Sequence, residues 1–111
     1  MPHEYTLLSD VEPTTERITT LAATVHPEGA YIEFRGGDIR QFVDAGGDPL
    51  LCLFRTRPVL RADEAAAALI APPTAFGLWT DLTVPLGDDG RGVRLAEAIA
   101  QGLGGQLARR A

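Results

Sequence analysis

The sequence predicts an α+β fold, a two-layer sandwich with one mostly antiparallel sheet and helices on one face. Three observations predict it. Residues 30 to 55 hold three short strand-like runs separated by Gly36-Gly37 and Gly46-Gly47, which reads as an antiparallel meander. Segments with helical spacing of apolar residues stand on either side of that meander. Helices and strands interleave, yet the middle of the chain is all strand. The resulting order is β-α-β-β-β-α-β-α, with a final short β as an option. The 111 residues make one domain, 1–111, a length that buries enough apolar surface for one core.

The first strand is Glu-Tyr-Thr-Leu-Leu-Ser, residues 4 to 9, rich in β-formers. Pro13 suits the first turn of a helix, capped by Glu12 or Thr14. Ile18, Leu21, Ala22 and Val25 then follow at i, i+3, i+4 and i+7. Pro27 and Gly29 end that helix. In the meander, Tyr31, Glu33 and Arg35 alternate with Ile32 and Phe34, a period-two strand with one apolar face. Gly36-Gly37 predicts a two-residue hairpin loop. The next strands are residues 38–44 and 49–55. Leu50-Leu51-Cys52-Leu53-Phe54 is apolar on both faces, the mark of a central strand.

Ala62 to Ala71 predicts a second helix, with Asp63 and Glu64 at its positive N-terminus and Pro72-Pro73 closing it. Phe76 to Val84 reads as a strand in which Gly77, Trp79, Asp81 and Thr83 share one face. Pro85 to Gly92, with Gly87, Asp88, Asp89 and Gly90, is a loop. The last helix runs from about Gly92 to Gly102 on an apolar stripe of Leu95, Ala96, Ile99 and Ala100, and Gly104-Gly105 stops it. Gln106-Leu107-Ala108 suits an edge strand.

Composition narrows the function classes. Formal net charge is -5, against the basic patches that nucleic-acid binding needs, so no nucleic-acid partner is expected. No apolar run approaches the ~20 residues that cross a bilayer. Met-Pro-His-Glu-Tyr has neither the basic nor the apolar part of a signal peptide, so no membrane association and a cytoplasmic location are expected. Lysine and asparagine are absent while arginine occurs ten times, a bias that follows from GC-rich codons.

No residue pattern points to catalysis. Ser9 is the only serine, without the glycines of a nucleophile elbow. Cys52 sits in an apolar run, as buried free cysteines do. Two histidines and one cysteine have no ligand spacing, so no metal site and no cofactor are expected. The glycine pairs lack the context of a phosphate cradle. Arg55 and Arg57 could grip an anion, although ion pairs with nearby carboxylates explain them more simply. What remains is the sheet's second face, where Tyr31, Glu33, Arg35, Trp79 and Asp81 would line a partner-binding surface rich in the residue types of binding hot spots. The alternative packs Trp79 under the Pro72-Pro73 loop or the C-terminal tail.

The opening Tyr-Thr-Leu-Leu-Ser before an amphipathic helix, the Asp-Ala-Gly-Gly-Asp-Pro-Leu-Leu segment, the late Trp-bearing strand and the closing Leu-Ala-Glu-Ala-Ile-Ala-Gln-Gly-Leu-Gly-Gly resemble a group of small proteins of high-GC Gram-positive bacteria. These in turn resemble the cytoplasmic immunity proteins of polymorphic toxin systems. The resemblance implies a non-enzymatic binding protein that neutralises a toxin domain by occupying its cleft. It transfers no catalytic residue. Two other expectations stand beside it: a small-molecule binder or enzyme with a pocket between sheet and helices near Arg55, Arg57 and Asp81, and a homodimer or larger homo-oligomer pairing through the Trp79 face.

Overall fold

The computed structural model describes residues 3–58, 77–87 and 89–110. Along them run β1 (His3–Ser9), α1 (Thr15–Val25), β2 (Ala30–Phe34), β3 (Ile39–Val43), β4 (Pro49–Pro58), β5 (Leu78–Val84), α2 (Arg91–Gly102) and β6 (Gln106–Arg109). The expected helix at residues 62–71 lies outside the described residues. All six strands join one sheet in the order β2-β3-β4-β5-β1-β6, and every neighbouring pair is antiparallel. The architecture is α+β with an antiparallel sheet, and the final short strand is present.

Both described helices cover the same face of the sheet. Leu7, Phe42, Leu51, Leu53, Leu82 and Val84 from the strands meet Ile18 and Ala22 of α1 and Leu95, Ala96, Ile99 and Ala100 of α2. Each such leucine or isoleucine contributes about 2 kcal/mol by leaving water. The doubly apolar run of residues 50–54 falls in β4, which has β3 on one side and β5 on the other. No helix among the described residues is long and apolar enough to cross a membrane.

The helix ends follow from local chemistry. Thr14, not Glu12, caps α1: its side chain accepts from the Arg17 backbone N–H at 3.3 Å. Pro13 therefore lies just outside the helix. α2 ends in a Schellman motif. Gly104, at φ 67°, sends its N–H to the Gln101 carbonyl at 3.0 Å, and the Gly105 N–H reaches the Ala100 carbonyl at 2.8 Å. Gly105 is glycine for a different reason, since any Cβ there would run into the Leu8 carbonyl of β1.

Two features depart from the sequence-based expectation. The β2–β3 connection is not a two-residue hairpin. Phe34 pairs with Ile39, so the loop is Arg35 to Asp38, and Asp38 donates its N–H to the Arg35 carbonyl at 3.3 Å. That bond withdraws both residues from the ladder. Arg35 then takes φ 51°, followed by Gly36 at 64° and Gly37 at 98°.

The second departure is the facing of β2. Tyr31 opposes Phe42 and Glu33 opposes Arg40, on the helix side of the sheet, while Ile32 opposes Gln41 and Phe34 opposes Ile39 on the outer side. The polar set therefore points inward and the apolar set outward. The inner side accommodates Tyr31 because its ring packs on Phe42 at 5.3 Å between centroids, and its hydroxyl lies 3.3 Å from Thr15 Oγ1. Thr15 also donates to Glu33 Oε1 at 3.4 Å.

Candidate protein-binding surface

The outer face of the sheet has two unlike halves. Over β5, β1 and β6 it is closed: Thr6, Leu8, Trp79 and Ala108 point outward by strand alternation and all are buried. Over β2, β3 and β4 it is open and apolar. Ile32 is 39 % exposed and Phe34 47 %. Phe34 opposes Ile39, which opposes Phe54; Ile32 opposes Gln41, which opposes Cys52. Two rows of side chains thus cross three strands, with Gln41 the one polar member. Apolar side chains grouped on an open sheet face carry more information than apolar residues scattered singly.

The expected partner surface of Tyr31, Glu33, Arg35, Trp79 and Asp81 is divided by the fold. Tyr31 and Glu33 stand on the helix side of an edge strand. Arg35 is in the hairpin loop. Trp79 and Asp81 lie on the outer side of β5, separated from β2 by two strands. Trp79 and Asp81 do come together. The indole Nε1 donates to Asp81 Oδ1 at 2.6 Å, Arg110 Nη1 donates to the same oxygen at 2.5 Å, and Thr6 Oγ1 donates at 3.2 Å. Arg57 stacks 4.7 Å from the Trp79 ring centre and Arg110 lies 5.6 Å from it. Trp79 is only 3 % exposed. Of the two readings of this tryptophan, the structure favours packing against the C-terminal tail, through Arg110; the Pro72-Pro73 loop lies outside the described residues.

Arg55 and Arg57 do not form a joint anion grip. A bulge between Leu53 and Thr56 separates them. Arg57 lies over Trp79, whereas Arg55 is 3.9 Å from Asp38. Arg55 does border a polar recess of about 350 Å³ at the start of α1, walled by Glu12, Thr15, Glu33, Asp38, Arg40 and Thr56 among others. Arg40 is 6 % exposed and is held by backbone alone, donating to the Pro13 carbonyl at 2.5 Å and the Phe54 carbonyl at 3.1 Å. Its Nε has no partner.

The remaining reactive groups show no catalytic arrangement among the described residues. Ser9 is buried and donates to the Val11 carbonyl at 2.8 Å. His26 Nδ1 lies 3.1 Å from Glu28. Burial pushes the Cys52 thiol above its ordinary range, away from the thiolate form that reacts. Asp44 accepts the N–H groups of Asp48 and Gly46, both at 2.9 Å, and pairs with Arg91 at 3.1 Å; Arg91 also pairs with Asp89 at 3.0 Å. The Asp48 amide, more than Arg91, holds the Asp44 carboxyl below its usual range, while Arg91 does so for Asp89. This cluster ties the β3–β4 turn to the start of α2. Among the described residues no group of histidine, cysteine and carboxylate side chains forms a metal-binding set.

Comparison with protein-family models, with curated proteins and with solved structures finds no match.

Alternation in the sequence marked out Ile32 and Phe34 as one face of β2, but not as its outer face. Arg40 and Arg110 left no signal of their partners, because Pro13, Phe54, Trp79 and Asp81 are brought to them only by the sheet.

Proposed function

We propose that this chain is a non-enzymatic protein-binding module, most concretely an immunity-type inhibitor that neutralises a cognate toxin domain by binding it. The observation that carries the reading is the outward apolar strip of Ile32, Phe34, Ile39 and Phe54. A strand normally turns its apolar set toward the core. Here an edge strand does the reverse and leaves two large apolar side chains in water, a cost that burial against a protein partner would offset.

The experiment is co-expression with the toxin domain encoded beside this chain's gene. The chain should protect cells from that toxin and co-purify with it, and Phe34→Asp should abolish both while leaving the fold intact. Absence of both protection and co-purification for the unaltered chain rejects the proposal. A small-molecule binder is the second reading, and the recess bordered by Arg40, Arg55 and Glu33 favours it. Charged groups of both signs on its walls would suit a small zwitterion.

A further inference from the structure

We infer that two copies of this chain join through their β2 edges into one continuous sheet. Among the described residues β2 has β3 on one side and no strand on the other. Its residues, Ala30-Tyr31-Ile32-Glu33-Phe34, contain no proline, and their pairing with β3 runs without a bulge. Its single charge, Glu33, sits on the helix side near Thr15. Of the devices that keep an open edge from pairing, proline and a bulge are absent from β2, and Glu33 is its one inward charge. The opposite edge differs: β6 has four residues and ends on Arg109.

The register selects a second copy as the occupant. A two-fold axis normal to the sheet sets β2 antiparallel to itself and keeps both helix layers on one side. Side chains alternate, so residues that pair must differ by an even number. The register that uses the whole strand is centred on Ile32. On the outer side it sets Ile32 against Ile32 of the second copy and Phe34 against Ala30 of the second copy. On the helix side it sets the Tyr31 hydroxyl, a donor, beside the Glu33 carboxylate of the second copy. Past the ladder it carries Arg35, exposed and without an ion pair among the described residues, to the end where Glu28 of the second copy stands. Symmetry repeats each unlike contact at the other end. Apolar meets apolar and donor meets acceptor along the five-residue strand, and cation meets anion just beyond it.

Such a ladder is short. Interfaces below roughly 1,000 Å² are weak and reversible, so the dimer forms in a concentration-dependent equilibrium. Edge pairing leaves the outer face uncovered and sets the two Ile32/Phe34 strips side by side. In that respect alone the inference rests on the binding-module reading, since the dimer would present the partner with a surface doubled in width.

Sedimentation of the full chain from roughly 10 µM to 1 mM tests it, over the range where weak association is read. The mass should rise from one chain toward two. Ile32→Lys puts two cations face to face across the axis and should raise the dissociation constant at least about tenfold. Phe54→Ser, on the same face but two strands from the edge, should leave it unchanged. Hydrogen exchange of the unaltered chain supplies a second readout that needs no variant: amide protection at residues 30–34 should increase with concentration. A monomer throughout, or protection independent of concentration, overturns the inference. So does equal weakening by Ile32→Lys and Phe54→Ser, which would mean that copies stack face to face. A monomer that still protects cells from the toxin overturns the pairing and leaves the binding-module reading standing; a dimer that binds no toxin does the converse.

Discussion

Asp81 concentrates more of the structure than its exposure suggests. One carboxylate oxygen receives the Trp79 indole, the Arg110 guanidinium and the Thr6 hydroxyl. Thr6 is fully buried and Trp79 nearly so, so removing their acceptor strands two donors away from water. Asp81→Ala should cost about 2 kcal/mol, the scale of leaving buried polar groups unpaired. Asp81→Asn keeps an acceptor but loses the charge and should cost less. Urea unfolding followed by Trp79 fluorescence reads both, because the indole is the probe and the partner at once. Alternation along β5 was enough to place Trp79 and Asp81 on the same face of the sheet. It was not enough to tell that Trp79 is buried, since the stacking arginines come from β4 and from the end of the chain.

At the scale of elements, the β2–β3 loop stores strain. Arg35 adopts φ 51°, a left-handed conformation that costs an L residue with a Cβ roughly 1–2 kcal/mol and glycine almost nothing. Arg35→Gly should therefore stabilise the monomer by about 1 kcal/mol in denaturant titrations at low protein concentration, after the extra unfolded-state freedom of glycine is subtracted. Gly105→Ala should do the opposite and lower the midpoint sharply, because β6 begins so close to β1 that a Cβ meets the Leu8 carbonyl. The helix of residues 91–102 was legible from its apolar stripe and its two closing glycines, which act locally. The facing of β2 was not. Period-two alternation says which residues share a side, while the choice of side depends on Phe42 and Thr15, partners that only the assembled sheet supplies.

Across the whole molecule, acid stability rests partly on the Asp44–Arg91–Asp89 cluster. Both carboxyls are held below their ordinary value of 3.8 when the chain is folded. The unfolded chain therefore takes up protons at a higher pH than the folded one. Their stabilising contribution is complete above that ordinary value and is lost as pH falls through the lower folded values. Arg91→Leu should flatten this part of the acid limb in thermal melts recorded between about pH 5 and pH 2. The same cluster joins the meander to the last helix, so local chemistry and long-range topology fail together on acidification. The antiparallel class and the strand count were readable because glycine turns and alternation are local signals. The insertion of β1 between β5 and β6 was not, because it is decided only when the last strand is in place.

The unequal edges of the sheet also limit how far the chain can assemble. A subunit that pairs strands at both edges behaves like a monomer with two reactive ends and grows into a fibre. If pairing runs through β2 alone, with the four-residue β6 ending on Arg109 at the other edge, this chain would be monofunctional. Growth by strand addition would then stop at two, and the β2 edge would pair without the second valence that an amyloid-like polymer requires.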